Sequence, residues 1–333
     1  MPRVFLTHTP DALENYYGPR ALAALGEMTE VRINPTGATL DAAALIDQAR
    51  GCEIVISDRK TPGPAAFFER AADCIAFLRC AVDIRNVDVE AANRAGILVA
   101  HATPGFAASV SELALGMMID LARGLSRSVA AHRDDRTPPV AMGRELRGAT
   151  LGVIGYGEIG RRLAALAQAL GMAVLVTDPH RAADATGVRQ VPLATLLARS
   201  DFVVCLAAAT PETENLVDAA ALARMRADAF FLNLSRGELV DEAALADALD
   251  RGIIAGAALD VGRAPDQMPS PFLGRRMDVV ATPHVGGLTR PAIEHQAFDT
   301  VDQVRAILRG EPPPHAVNAE RADRYRTWTR SNA

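Results

Sequence analysis

The chain has 333 residues, 49% of them hydrophobic and 23% charged, with a formal net charge of −5. That length exceeds the size at which a single core usually stops growing, so two domains are expected, and the composition is that of an ordinary globular protein without a long disordered tail. The acidic balance and scattered arginines argue against a nucleic-acid partner, and the longest apolar runs, such as Phe202 to Ala209, are strand length and far too short to span a membrane.

The N-terminal segment alternates like a first strand and shows neither an apolar signal region nor a small-residue cleavage site, so a cytoplasmic protein is expected. Strands are predicted at Val4 to Thr7, Thr29 to Ile33, Glu53 to Ser57, Ile75 to Leu78 and Ile97 to Ala100, separated by helical patterns. Val110, Leu113, Ala114, Met117, Met118, Leu121 and Leu125 then recur at three and four residues, which predicts one long amphipathic helix over Ser109 to Arg133. Arg136-Thr-Pro-Pro139 ends it in extended conformation, as a hinge or a surface crossing.

From Thr150 a second alternation begins, with six strand patterns: LGVIG, AVLVTD, FVVCL, AFFLNL, AGAALD and DVVATPH. Beyond Pro283 and the Gly286-Gly287 turn, Ile293, Ala297, Val301, Val304 and Leu308 form a last amphipathic helix, stopped by Gly310 and Pro312 to Pro314. Strands alternating with helices indicate an α/β protein built on doubly wound parallel sheets. Cys52, Cys74, Cys80 and Cys205 form no CxxC pair, and the seven histidines include no HxxxH pair, so reduced structural thiols and no metal site are expected.

Gly155-Tyr156-Gly157-Glu158-Ile159-Gly160 follows one predicted strand and opens a helix, the context a dinucleotide-binding GxGxxG requires. By itself the pattern would turn up by chance about one time in seven in a chain this rich in glycine. The next strand, however, ends in Asp178, 18 residues past Gly160, where an acid accepts hydrogen bonds from the adenosine ribose. That acid repels a 2′-phosphate, so NAD is expected over NADP, although His180 and Arg181 follow directly.

Three further segments, Asn233-Leu-Ser-Arg-Gly-Glu238, Ala257-Ala-Leu-Asp-Val261 and Thr282-Pro-His-Val-Gly-Gly287, lie at C-terminal strand ends, where ligand crevices of open α/β sheets form. Their order and spacing, with Asn86-Val-Asp-Val89, the Ala91 to Ile97 segment, Thr103-Pro104 and Ser109-Val-Ser-Glu-Leu113, resemble the D-isomer-specific 2-hydroxyacid dehydrogenases over most of the chain. The resemblance implies two Rossmann-like or flavodoxin-like domains: a substrate domain of residues 1–99 and 289–333, and an inserted NAD-binding domain of residues 100–288. It also implies a homodimer and hydride transfer between NAD(H) and a small 2-hydroxy or 2-oxo acid.

Within that family pattern Arg236 would hold the substrate carboxylate and His284 would carry the proton, roles suited to a planar guanidinium and to an imidazole. Val82 and Asp83 would border the substrate. Ser109, Leu206, Ala207, Thr210, Leu234, Ser235, Gly286 and Gly287 would line the cofactor beside the glycine loop and Asp178, and Asp260 would support the nicotinamide end.

Two departures from the family stand out. The family continues ALDV with an aromatic residue and then Glu-Pro, the glutamate bonding the catalytic histidine, whereas this chain reads Asp260-Val-Gly-Arg-Ala-Pro-Asp266. Asp266, one residue off, is a candidate replacement carboxylate. Ala81-Val-Asp83 stands where the family has a glycine-rich turn, and Asp83 would repel an anion unless Arg85 compensates or Asp83 turns to His284. Two other readings stay open: a non-catalytic NAD-binding sensor or interaction protein on the same fold, and an NADP-linked reductase of a non-carboxylate substrate.

Overall fold

A computed structural model describes residues 1–332; Ala333, the last residue of the expected substrate domain, lies outside the described residues. The chain divides into two compact units, one of residues 1–105 together with those from Arg290 onward, the other Phe106–Thr289. The first crossing falls after Gly105 rather than after residue 99. The reason is local: the amide and hydroxyl of Thr103 both donate to Asp299, at 2.6 and 2.7 Å, which ties this segment to the helix Arg290–Leu308.

The first unit carries β1 (Arg3–Leu6), β2 (Glu30–Ile33), β3 (Ile54–Ser57), β4 (Ala76–Arg79) and β5 (Leu98–His101), all parallel, in the order β2-β1-β3-β4-β5. Alternation along the strands sends Val4, Leu6, Ile54, Ile56, Leu78 and Leu98 to one face, where Val301, Val304 and Ile307 of the long C-terminal helix cover them. Phe5, Val55, Phe77 and Val99 face the other way, against Phe67 and Phe68. Each such buried side chain contributes about 1.5–3 kcal/mol, and burial on both faces is why these strands read as continuous apolar runs.

The second unit carries β6 (Thr150–Ile154), β7 (Ala173–Thr177), β8 (Val188–Gln190), β9 (Phe202–Cys205), β10 (Phe230–Asn233), β11 (Gly256–Leu259) and β12 (Val279–Ala281). They form one parallel sheet in the order β12-β11-β10-β9-β6-β7-β8, which reverses direction between β6 and β9. Ile154, Val203, Phe231 and Leu259 pack on one face, and Leu151, Val153, Val204 and Leu232 on the other.

Seven strands replace the six expected here. The additional one, β8, is a three-residue edge strand whose Arg189 and Gln190 are exposed, so it carries no apolar run. The long helix expected over Ser109 to Arg133 is two helices, Ala107–Arg123 and Leu125–Arg133, because Gly124 between them adopts φ +64. Glycine takes that left-handed conformation without a Cβ penalty, while the apolar periodicity runs on through it. Arg136 to Pro139 lies inside the second unit, in an irregular stretch where Val140 and Met142 are fully exposed, and does not join the units. A further helix, Asp323–Asn332, packs Tyr325 and Trp328 on the first core.

All four cysteines are free and buried, and burial pushes the thiols of Cys74, Cys80 and Cys205 up to about 12. Among the described residues no helix is long and apolar enough to cross a membrane, and no group of three potential ligands surrounds a metal position.

His8, directly after β1, is 1% exposed and its Nδ1 has no hydrogen-bond partner. Burial pushes the imidazole down to about 4, with Asp58 opposing that shift and Arg79 adding to it. The native state therefore binds fewer protons than the unfolded chain between pH 6.5 and about 4. Stability from this group is complete above the unfolded value and falls as the pH drops through that window, by up to about 3 kcal/mol. Urea midpoints should accordingly fall between pH 7 and pH 5, and His8→Phe should flatten that slope; an equal slope in the variant would contradict the assignment.

Candidate active site

Every chemically equipped loop of the second unit leaves the C-terminal edge of its parallel sheet. Gly155 follows β6, Asp178 follows β7, Leu206 and Ala207 follow β9, Leu234 to Arg236 follow β10, Asp260 follows β11, and Thr282 to Gly287 follow β12. Since β10, β11 and β12 are consecutive neighbours, Arg236, Asp260 and His284 stand on adjacent strand ends despite wide sequence separation.

The three glycines answer three different constraints. Gly155 has φ +98, and a Cβ there would lie 2.7 Å from the backbone of Leu206 and Ala207. At Gly160 a Cβ would meet the carbonyl oxygen of Gly155 at 2.3 Å, so helix and loop touch there only because Gly160 lacks a side chain. Around Gly157, by contrast, nothing lies within 4 Å of a Cβ position. Gly157 caps the helix Glu158–Ala169 without a side-chain hydrogen bond. Open space thus adjoins amides at the positive end of a helix dipole, and the residues fit a pyrophosphate.

Asp178 is fixed by backbone donors. Its Oδ2 accepts from the Tyr156 amide at 2.7 Å, and its Oδ1 from the amides of His180 and Arg181 at 2.8 and 3.0 Å. Burial tends to raise its pKa, but these three amides and nearby His180 outweigh that, so the carboxyl sits below the usual range. Oδ2 retains capacity for a second donor, as a ribose hydroxyl requires. The Tyr156 side chain itself is fully buried under Arg161, so only its main chain faces the glycine loop.

Asp260 braces the loop that follows β12. It is 2% exposed, and its carboxylate organises the next loop: Oδ1 accepts from the Thr282 hydroxyl at 2.6 Å and the Val285 amide at 2.8 Å, and Oδ2 from the Gly286 amide at 2.8 Å. Its carbonyl accepts from the His284 amide at 2.9 Å. Held on both sides, His284 adopts φ +54, a strained conformation for a residue with a side chain. Ser109 and Gly287 serve the same loop: the Ser109 and Thr289 hydroxyls are 2.6 Å apart, and Gly287 packs on Phe106.

The His284 ring meets Asp266 through its backbone. Nδ1 lies 2.9 Å from the Asp266 carbonyl oxygen, and a carbonyl can only accept, so Nδ1 carries the hydrogen. The expected contact with the Asp266 carboxylate is therefore replaced by one with the main chain. Arg236 donates to the Ser235 carbonyl at 2.8 Å, and Asn233 braces the same turn by donating to the Arg236 carbonyl at 2.8 Å. Leu234 is buried in the core, Ser235 donates to the Ala207 carbonyl, and the Thr210 amide donates to the Thr213 hydroxyl, so these positions shape the loops around the cofactor edge.

Val82 and Asp83 belong to the first unit, after β4, where the Asp83 carboxylate takes bonds of 2.7 to 3.1 Å from the Arg85 guanidinium. Sequence reasoning missed Glu242 and Arg263. Glu242 is buried, and its Oε1 and Oε2 accept from the Arg263 amide and the Ser270 hydroxyl. A usable signal existed: Asp241 already caps this helix by accepting from Ala243 and Ala244, which leaves the adjacent acid for another task.

The family model for the D-isomer specific 2-hydroxyacid dehydrogenase NAD binding domain matches residues 115–286, about half of the chain. The chain belongs to the D-isomer specific 2-hydroxyacid dehydrogenase family. It is 32% identical over 329 residues to a glyoxylate reductase of Korarchaeum cryptofilum, covering 96% of each protein. It is also 39% identical over 246 residues to a D-3-phosphoglycerate dehydrogenase of Synechocystis sp., covering 72% of this chain and 44% of that relative. The chain thus spans about half the length of the phosphoglycerate dehydrogenases it matches, 57% for that of Methanocaldococcus jannaschii. Among solved structures, the TT0316 protein of Thermus thermophilus superposes with a TM-score of 0.83 at 31% identity, covering 95% of this chain and 99% of that one.

Removing the Asp260 carboxylate should leave two amides and a hydroxyl unpaired in a buried place. Asp260→Ala is expected to lower unfolding stability by about 3 kcal/mol. A urea midpoint equal to that of the native protein would show that the loop is held by other means.

Proposed function

We propose that the protein transfers a hydride between NAD(H) and a small 2-hydroxy or 2-oxo acid, with His284 as proton carrier and Arg236 as the carboxylate anchor. The observation that carries this reading is His284: a histidine held at φ +54 with Nδ1 committed to a carbonyl, which leaves the lone pair on Nε2.

The nucleotide would lie across the Gly155 to Gly160 loop, its pyrophosphate on the amides at the start of the helix Glu158–Ala169 and its adenosine ribose on Asp178. When bound, reduced NAD supplies a hydride to C2 of the 2-oxo acid. In oxidation, Nε2 of His284 takes the hydroxyl proton as the C2 hydride departs; in reduction the protonated ring returns it. Arg236 offers paired donors to the substrate carboxylate, which fixes C2 and draws charge from the developing alkoxide. Asp178, ionised and amide-bound, disfavours the extra phosphate of NADP. The same reading makes residues 106–289 the nucleotide domain and the remainder the substrate domain of a homodimeric, cytoplasmic enzyme.

The test mixes the protein and a His284→Ala variant with NADH and glyoxylate, hydroxypyruvate, pyruvate or phenylpyruvate, and follows absorbance at the nicotinamide band. Loss with the native protein and a drop of at least about a hundredfold in the variant are expected. Equal rates in the two proteins, or no loss with NADH bound, would favour the sensor reading. NADH should also bind at least about tenfold more tightly than NADPH, a difference near 1.4 kcal/mol by direct titration; reversed preference would sink the cofactor assignment.

A further inference from the structure

The loop between β11 and the short helix Pro271–Gly274 has an unusual construction. Six non-glycine residues adopt positive φ among the described residues, and four of them, Asn215, Asp266, Gln267 and His284, meet in one bonded network. The loop closes on itself, with the Gly262 amide donating to the Gln267 carbonyl at 2.9 Å and the Ala264 amide to the Met268 carbonyl at 3.1 Å. Arg263 then fastens it. Its Nη2 donates to Glu214 Oε1, Asn215 Oδ1 and the Glu238 carbonyl at 2.9, 2.7 and 2.9 Å, its Nε to the Val240 carbonyl at 3.2 Å, and its amide to Glu242 at 3.0 Å. Gln267 adds a bond from Nε2 to Glu238 Oε1 at 3.2 Å.

Two adjacent residues with side chains, Asp266 at φ +58 and Gln267 at φ +57, would not hold such dihedrals without this frame. The frame's consequence at the site is the position of one atom, the Asp266 carbonyl oxygen, on His284 Nδ1.

We infer that Arg263 is a positioning residue for the acid/base: it fixes the left-handed turn whose Asp266 main-chain carbonyl, not a carboxylate, selects the Nδ1–H tautomer of His284. This rests on the hydride-transfer reading for its catalytic meaning, but the tautomer exists with or without turnover. A neutral acceptor on Nδ1 orients the ring as a carboxylate would.

The test is nitrogen NMR on histidine-labelled full-length protein at pH 8.5, with the His284 signals assigned by His284→Ala. The native protein should show Nδ1 protonated and Nε2 unprotonated. Asp266→Asn, which tolerates a left-handed turn and keeps the carbonyl, should show the same tautomer. Arg263→Ala and Asp266→Val should each yield a tautomer mixture, with kcat reduced at least about tenfold, a displaced pH profile and NADH affinity retained. A native ring protonated at Nε2, a tautomer lost in Asp266→Asn, or one kept together with an unmoved pH profile in Arg263→Ala would each overturn the inference. Should Arg263→Ala not fold, Asp266→Val and the native spectrum decide it. Failure of turnover with an intact Nδ1–H spectrum would instead count against the dehydrogenase reading.

Discussion

A single buried carboxylate sets the geometry on which the His284 half of the candidate site depends. Asp260 sits at the end of β11, almost without solvent, and both its oxygens are committed to the loop that follows β12. A carboxylate in that environment is stable only if donors surround it, and the Thr282 hydroxyl with the amides of Val285 and Gly286 supply them. The loop therefore has one low-energy path, and His284 occupies a left-handed position on it that its own preference would not select. Charge burial at one strand end thus determines where the imidazole at the neighbouring strand end stands.

The cofactor half depends on a different constraint, the close approach of backbone to backbone. Gly155 and Gly160 have neighbours where a Cβ would be, and Gly157 has empty space there. Contact at two positions and vacancy at the third is what a loop needs if it is to pack tightly beneath while a phosphate rests above. Asp178, gripped by three amides at the end of β7, completes a rigid edge beside the reversal of strand order between β6 and β9, the place where open α/β sheets bind nucleotides.

How much of this could be read from the chain follows from the kind of interaction involved. Buried parallel strands declare themselves as apolar runs, and all five strands of the first sheet lie within a residue or two of the expected positions. The glycine loop and Asp178 stand out in the sequence because fixed residue types at fixed spacings serve backbone geometry, whereas Arg236 and His284 stand out only through the family resemblance. Periodicity failed where a local backbone preference overrode it, as at Gly124, and where a strand was too short and exposed to form a pattern, as at Val188–Gln190. The helix Asp323–Asn332 escaped because Tyr325 and Trp328, three residues apart, are its main contacts with the core. Least readable was the partner of His284. A main-chain carbonyl carries no residue signature, so the sequence suggested the side chain of Asp266 while the fold uses its backbone, in a loop that Arg263 ties to Glu214, Asn215 and Glu242, all remote in sequence.

The most direct test of the account is the fate of the hydride. Native protein would be incubated with NADH deuterated at C4 of the nicotinamide and with the 2-oxo acid that turns over fastest, and the product analysed by mass spectrometry. The account predicts a 2-hydroxy acid carrying one deuterium at C2, with the hydroxyl proton drawn from solvent by way of His284. A product without deuterium, or no product from a protein that holds NADH, would contradict it.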